Sequence, residues 1–255
     1  MVRKAEGALF MLVLALLAEV VSRTELVSPL YFPPVSKIAF AFFRLTESGR
    51  LPSEVLRSLI RMGCGWGLTV LLAIPLGLFL GTSPARRRLF EPLVEMLRPI
   101  PPPVIVPIAM LFLGIGDAMK IFVVFFASSF PVLTNTMDGV LAVPRTFVDT
   151  ARSFGSSRAE VVWKVILPAA APHILSGLRT SIPIALIVAI LSEMVGGTDG
   201  IGRFILQMQR TFNIPEMYAG MAMLGITGYA LNEAFMQLDG RLLDWHEGWR
   251  RGAGR

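Results

Sequence analysis

Long apolar runs, separated by short polar segments, constrain the fold of this chain more than any other feature. The run Gly63–Gly81, GCGWGLTVLLAIPLGLFLG, holds no charged residue in 19 positions. An α-helix rises about 1.5 Å per residue, so about 20 apolar residues cross the hydrocarbon core of a bilayer. Comparable runs follow along the sequence, and together they predict an all-α membrane protein.

Composition supports this prediction. Hydrophobic residues make up 54% of the 255-residue chain and charged residues 16%, against roughly 45–50% and 25% in soluble domains. The net charge of +6 would suggest nucleic acid in a soluble protein. In a membrane protein the basic residues collect in cytoplasmic loops instead, so we expect no nucleic-acid partner. The single cysteine, Cys64, excludes a disulfide framework and a cysteine-based metal site.

The chain is predicted to form one transmembrane domain, residues 1–255, with six spans. The spans cover about residues 7–22, 62–82, 99–116, 120–143, 173–194 and 216–237. The first run follows Arg3 and Lys4, as the apolar part of a cleaved signal peptide would. Its end, LLAEVVS, is a poor cleavage site, which favours an uncleaved span.

Orientation follows from the placement of lysine and arginine, which favour the cytoplasmic side of a membrane. With the N-terminus in the cytoplasm, 14 of these residues fall in inner segments and 8 in outer segments. The inner residues are Arg3, Lys4, Arg86, Arg87, Arg88, Arg98, Arg145, Arg152, Arg158, Lys164, Arg241, Arg250, Arg251 and Arg255. Both termini and the loop 144–172 are therefore predicted to be cytoplasmic, and the segment 23–61 to be periplasmic.

The outer segment 23–61 has an amphipathic pattern. Val35, Ile38, Phe42 and Leu45 share one helical face, and Ser53 with Glu54 can cap a second helix over 54–60. Two short helices lying in the membrane interface fit this pattern. A soluble loop with local helix fits it equally well.

Small residues and prolines mark places where helices come close or change course. The pairs Gly63/Gly67 and Gly77/Gly81 have the small-xxx-small spacing that allows close helix packing. The prolines of the IPPPV sequence, residues 100–104, have no backbone N–H and cannot lie inside a regular helix. They indicate either an irregular entry near a lumen or a stiff helix start.

The loop 144–172 carries charged residues between two apolar runs, yet it has a helical pattern. Pro144 can start a helix, on which Phe147, Ala151 and Phe154 share a face. Gly155 is predicted to end this helix in a left-handed conformation.

A second helix is predicted after Gly155. Ser157 and Glu160 have the spacing of a capping box, and Pro168 is expected to end the helix. Val161, Val162, Val165 and Ile166 form its apolar side. Such a pair of helices suits either a groove on a partner protein or the lipid surface.

This loop resembles the cytoplasmic loop motif of the membrane subunits of binding-protein-dependent ATP-binding-cassette (ABC) importers. That motif reads E-A-A, three residues, G, nine residues, I-x-L-P. Ala151, Gly155, Leu167 and Pro168 match it, while Asp149, Thr150 and Val165 stand for Glu, Ala and Ile with the spacing kept. Other stretches, from about residue 32 to residue 243, resemble the branch that imports sulfonates, taurine and nitrate.

The resemblance implies a type I ABC importer permease fold in a bacterial inner membrane. It also implies a second copy of the chain, an ATPase dimer that binds the ATP, and a periplasmic or lipid-anchored solute-binding protein. The loop would form a coupling helix that contacts the ATPase through Asp149, Ala151, Phe154, Gly155, Ser157, Arg158, Leu167 and Pro168. A small organic or inorganic anion is the implied cargo, and a heterocyclic vitamin precursor is the alternative.

Polar residues inside the spans are candidates for the transport pathway. Ser128, Ser129 and Ser181 could line a polar path, although serines in helices often bond to their own backbone. Glu193, near the outer end of its span, fits a gate or pathway role because ionisable groups in membrane segments are functional candidates. A structural hydrogen bond to the glycine loop 196–202 fits it too. That loop is expected to shape the outer mouth.

Other functions lack the residues they need. No G-x-x-x-x-G-K-[ST] motif occurs, so energy comes from a partner ATPase or an ion gradient. A gradient-driven transporter needs intramembrane acids or histidines, and only Glu193 is available. His173 and His246 have no clustered metal ligands, and no catalytic set appears. We therefore expect a non-catalytic transport subunit with no cofactor and no metal.

Overall fold

The computed structural model describes residues 2–24 and 27–242. Within these residues the backbone forms helices and no β-strand. The helices are α1 (Val2–Arg23), α2 (Val35–Glu47), α3 (Arg50–Gly81), α4 (Pro84–Leu97), α5 (Pro102–Leu113), α6 (Asp117–Leu141), α7 (Arg145–Ser153), α8 (Arg158–Val161), a π-helical turn (Val162–Ile166), α9 (Leu167–Gly196), α10 (Ile201–Arg210) and α11 (Ile214–Leu242).

Three helices are long and apolar enough to cross a membrane: α3, α6 and the continuous stretch Arg158–Gly196. The last comprises α8, the π-helical turn and α9, and has 39 residues. Helices α4 and α5, bent by 97° at a short break, form a fourth candidate when taken together. The predicted all-α membrane fold is confirmed, and the predicted spans 62–82, 120–143 and 173–194 coincide, to within two residues, with parts of α3, α6 and α9.

The remaining predicted spans differ in detail. The third, residues 99–116, contains α5 of only 12 residues, which reaches about 18 Å and cannot cross a bilayer alone. Helices α1, with 22 residues, and α11, with 29 residues, lie at the first and sixth predicted spans, and neither is among the candidate spans found in the described residues. The count of six spans stays a prediction.

The outer segment is simpler than its sequence pattern indicated. Helix α2 forms as predicted, and Leu45 on the predicted face is buried. The expected separate helix over 54–60 is wrong, because α3 runs without a break for 32 residues. Ser53 does not cap a helix there; its hydroxyl donates to the carbonyl of Arg50 at 2.8 Å within α3. The Ser53–Glu54 pattern is typical of a helix start, but here these residues lie inside α3, which begins at Arg50.

Contacts divide the chain into two units. The first comprises Met1–Ser58 and Gly197–Thr227, and the second comprises Leu59–Gly196 and Gly228–Arg255. Helices α3 and α11 contribute residues to both units.

In the first unit, the N-terminus of α10 is capped by side chains of α3. The Glu54 carboxylate accepts the N–H of Gly200 at 2.6 Å, and the Ser58 hydroxyl accepts the N–H of Ile201 at 3.0 Å. Gly200 has a φ of +98°, a conformation that favours glycine. These bonds satisfy backbone donors that a helix start leaves open, and they fix the end of the glycine loop.

In the second unit, α3 packs closely on α6 at glycines. A Cβ atom on Gly77 would lie 2.6 Å from the Thr136 side chain, and one on Gly81 would lie 2.8 Å from Val140. A Cβ on Gly63 or Gly67 would meet nothing within 4 Å in the described part of the chain. The Gly77/Gly81 pair therefore acts as predicted, and the Gly63/Gly67 pair contacts no helix of the described chain.

The core of the second unit lies among α3, α6 and α9. Its fully buried members include Val132 of α6 and Ala170 of α9, with Leu80 of α3 almost as deeply enclosed. In contrast, large apolar side chains such as Leu71, Leu111 and Phe112 are exposed. That arrangement, with apolar residues both inside and outside, is typical of helices that face lipid.

Candidate functional site

The bent segment, residues 144–172, begins with α7 and turns sharply at Gly155. The N–H of Gly155 donates to the carbonyl of Arg152 at 2.9 Å, and the N–H of Ser156 donates to that of Ala151 at 3.1 Å. This pair of bonds, with a φ of +80° at Gly155, is a Schellman motif. The predicted helix stop at Gly155 is confirmed, and Pro144 lies one residue before the helix start.

The second helix starts at the predicted capping box. The Ser157 hydroxyl accepts the N–H of Glu160 at 3.3 Å, and the Glu160 carboxylate accepts the N–H of Ser157 at 3.0 Å. Lys164 donates to the same carboxylate at 2.8 Å. The Lys164 hydrogen bond, followed by those from Ser157, lowers the pKa of Glu160 to about 2. The box fixes where the chain leaves the bend.

The expected helix stop at Pro168 is wrong. The chain passes from α8 through the π-helical turn Val162–Ile166 into α9 without leaving the helical path. Pro168 has no N–H, and its ring would clash with the carbonyl of Lys164 in a regular α-helix. The wider π-helical turn directly before it accommodates the proline. Therefore α8, the π-helical turn and the long helix α9 form one continuous helical stretch.

The bend exposes aromatic side chains. Phe154 is 85% exposed, Trp163 65% and Phe147 46%. These three residues are here called the aromatic trio. Ala151, expected on the same face as Phe147 and Phe154, packs instead against the core, so the predicted single stripe on α7 is wrong. Trp163 was missed because it lies off the apolar side of its helix.

The apolar side of the second helix faces inward. Val161 and Ile166 are buried, and Val162 packs against the same core. Of the other predicted contact residues, Asp149, Ser157, Arg158 and Pro168 are exposed, and Leu167 is partly buried against the core. The bent segment is therefore anchored through Val148, Val161, Val162 and Ile166, and it presents polar and aromatic side chains outward.

The serines predicted for a pathway brace the helices of the second unit. Ser128 is fully buried, 2.7 Å from the Thr69 hydroxyl, and Ser181 accepts the indole N–H of Trp66 at 2.8 Å. Ser129 donates to the carbonyl of Phe125 at 2.6 Å. A pathway role for these serines stays a prediction.

A buried charge network surrounds Glu193, the fourth predicted pathway residue. Glu193 is fully buried, and an Arg61 guanidinium nitrogen lies 3.1 Å from its carboxylate. Arg61 also contacts Asp117 at 2.7 Å, and Lys120 lies 3.5 Å from the same Asp117 oxygen. Buried charges persist only when paired, so the network ties α3, α6 and α9 together. A pathway role for Glu193 stays a prediction.

The second unit contains a cavity of about 350 Å³, within the range of about 300–1,000 Å³ for small-molecule sites. Its lining comprises Arg98, Ile100 and Pro102 at the break between α4 and α5, Phe126, Ala127, Phe130, Pro131, Thr134 and Asn135 of α6, and Thr180 and Ile184 of α9. Irregular backbone at membrane depth is tolerated where it lines a cavity. Pro101 is the N-cap of α5, and Pro102 and Pro103 form its first turn, so the triple proline makes the stiff helix start that the sequence allowed, while Pro102 also lines this cavity.

Within residues 2–24 and 27–242, no group of three or more His, Cys, Asp or Glu side chains could hold a metal ion. Cys64 is exposed. His246 and the basic residues Arg250, Arg251 and Arg255 lie outside the described residues.

Sequence comparison finds a family and several relatives. Residues 73–242 match the family described as "binding-protein-dependent transport system inner membrane component". The chain is 32% identical to the taurine transport system permease protein of Escherichia coli (strain K12), over 89% of this chain and 84% of that one. It is 28% identical to the putative aliphatic sulfonates transport permease protein of Bacillus subtilis (strain 168), over 96% and 88%. A nitrate import permease protein of Synechocystis sp. (strain ATCC 27184 / PCC 6803 / Kazusa) is 30% identical over 75% and 70%.

Solved structures share the fold. A chain of the MetNI methionine ABC transporter, in an inward facing conformation, matches with a TM-score of 0.66 at 19% identity, covering 74% of this chain and 94% of that one. A chain of an amino acid ABC transporter matches with a TM-score of 0.60 at 18% identity, covering 77% and 94%. At this identity the likeness concerns the fold alone, which is the type I importer permease fold.

Proposed function

We propose a transport role from one established premise: the chain belongs to the family of binding-protein-dependent transport system inner membrane components. It is thus a non-catalytic permease subunit of an ABC importer. We propose further that two copies form the membrane pathway, that a separate ATPase dimer drives it, and that a binding protein delivers the solute. Both termini would face the cytoplasm, as the lysine and arginine distribution predicts.

The observation that carries this proposal is the construction of the bent segment. Its aromatic trio is exposed, while Val161, Val162 and Ile166 are anchored in the core. Exposed aromatic side chains on a rigid element are typical of surfaces that anchor a partner protein. This supports docking of the bent segment on an ATPase.

The continuous path from α8 into α9 supports a route for force. Since the helical path from the capping box at Ser157 to Gly196 at the far end of α9 is unbroken, we expect a displacement of α8 to move α9 with it. Rigid-body movement of packed helices is an established way to switch between states. ATP binding to the partner could thereby change access to the membrane pathway.

We propose a small oxyanion as the cargo. The relatives are named for taurine, aliphatic sulfonates and nitrate, and the first two kinds of compound carry a sulfonate group. A gradient-driven mechanism is less well supported, because Glu193, the one candidate proton carrier from the sequence, is engaged by Arg61.

Cross-linking to the ATPase tests the docking claim. In a Cys64→Ser background, Phe154→Cys carries a thiol-directed photoreactive group and is co-expressed with the ATPase of the same operon or genome neighbourhood. We expect a cross-link from Phe154→Cys and none from the control Leu111→Cys, whose parent side chain is 81% exposed on α5. Equal labelling at both positions, or co-purification of no ATPase at all, would overturn the proposal.

A further inference from the structure

The cavity between the α4–α5 break, α6 and α9 is lined by a positively charged residue and by no acidic one. Arg98 is the charged residue in its lining, and the other polar members are Thr134, Asn135 and Thr180. Phe126 and Phe130 supply an aromatic wall. The lining thus combines one cation, several neutral polar groups and an apolar surface.

Arg98 differs from the buried cations of the same unit. Arg61 and Lys120 both contact Asp117, so their charge is compensated. Within residues 2–24 and 27–242, no carboxylate lies at ion-pair distance from Arg98. Its guanidinium, a planar fork of N–H donors, therefore remains available to an anion.

The cavity reaches membrane depth. Helix α6 runs from Asp117 to Leu141, and Asn135 lies on it about 27 Å from the first residue and about 9 Å from the last, at 1.5 Å per residue. Arg98 itself is exposed at the break between α4 and α5, so a ligand that enters the cavity can reach its guanidinium.

The neutral polar side chains of the lining, Thr134, Asn135 and Thr180, complement an oxyanion that also carries a hydrogen-bond donor. One N–H of the Asn135 side-chain amide donates to the carbonyl of Pro131 at 2.8 Å. The second N–H of that amide is left for an anionic oxygen. The hydroxyls of Thr134 and Thr180 donate to the carbonyls of Phe130 and Ser176, each at 2.9 Å. Their oxygens can still accept from a ligand.

We propose that this cavity is an anion site on the transport pathway, and that Arg98 selects for negatively charged cargo. The proposal rests on the importer function above and names the site at which a small sulfonate or similar oxyanion is held. Guanidinium binds such groups through paired, charge-assisted hydrogen bonds. The aromatic wall contacts the apolar stem of an aliphatic sulfonate.

Uptake by arginine variants tests the site. The full importer, with its ATPase and binding protein, is reconstituted in proteoliposomes with taurine as the probe. We expect Arg98→Gln to lower ATP-driven uptake on the order of 10- to 100-fold, because a charge-assisted contact is lost. Arg98→Lys should retain more uptake than Arg98→Gln. The control Arg88→Gln, on α4 and outside the cavity lining, should match the parent.

A second measurement does not depend on transport. In a Cys64→Ser background, Thr180→Cys places a thiol in the cavity lining, and its reaction rate with an anionic and a cationic methanethiosulfonate is compared. Nearby Arg98 should favour the anionic reagent, and Arg98→Gln should lower the anionic-to-cationic rate ratio roughly fivefold or more. Arg88→Gln should leave the ratio unchanged.

The outcomes separate this proposal from the importer function. If the parent importer takes up none of the tested anions, the proposed function fails, while the rate ratio still reports on the cavity. If the parent takes up taurine and Arg98→Gln does so within about twofold, with an unchanged rate ratio, the anion site is refuted.

Discussion

Replacing Gly77 by alanine should weaken the packing of α3 on α6. The added Cβ would lie 2.6 Å from the Thr136 Cβ and 3.1 Å from the carbonyl oxygen of Leu133. A comfortable carbon–carbon contact is about 3.5–4.0 Å, so Thr136 and its backbone must move by about 1 Å. Overpacking of this kind costs about 1–3 kcal/mol.

Gly67 provides a matched control on the same helix. Its Cβ position meets nothing within 4 Å in the described part of the chain. Both substitutions remove a glycine from a helix interior, which favours the helix by up to about 1 kcal/mol. That gain is common to the two variants. The difference between them therefore isolates the clash at Thr136.

Equilibrium unfolding in mixed micelles measures this difference. We expect Gly77→Ala to be less stable than Gly67→Ala by about 1–3 kcal/mol, which is a factor of roughly 5 to 150 in the unfolding constant. A Gly77→Ala variant as stable as Gly67→Ala would show that α3 and α6 do not approach closely at this point, and the packing of the second unit would need revision.

Three further predictions concern function and stability. Gly155→Val should reduce ATP-driven uptake while the protein still inserts, because a β-branched residue at φ +80° is strained. Gly155→Asn should retain most uptake, since asparagine tolerates this conformation. Equal uptake by both variants would contradict a role for the turn. Phe154→Ala with Trp163→Ala should lower ATPase retention during purification, and full retention would remove the aromatic trio from the interface. Arg61→Leu should destabilise the protein by about 3–5 kcal/mol in unfolding experiments, since it removes one partner of buried Glu193. A free energy of unfolding within about 1 kcal/mol of the parent would show that the network is dispensable.

Local signals in the sequence predicted much of the bent segment. The stop at Gly155 and the capping box of Ser157 and Glu160 each involve residues within a few positions of one another, and the structure has both. The expected stop at Pro168 was wrong because the preceding π-helical turn absorbs the proline. A single breaker residue does not reveal whether its neighbours can adjust.

Features that depend on distant residues were not predictable. The Arg61–Glu193 contact joins positions 132 residues apart, and the sequence singled out Glu193 without its partner. A retrospective signal exists in Arg61, a charged residue inside a long apolar helix. The Arg98 cavity is assembled from three helical regions, and only the triple proline hinted at it.

In the proposed mechanism the chain is a passive pathway that a separate ATPase drives. The direct measurement is uptake of taurine, methanesulfonate and nitrate by proteoliposomes that contain this chain and the binding protein, with and without the ATPase and ATP. We expect uptake of at least one of these anions only when the ATPase and ATP are both present. Uptake that persists without the ATPase and follows a proton or sodium gradient would contradict the account.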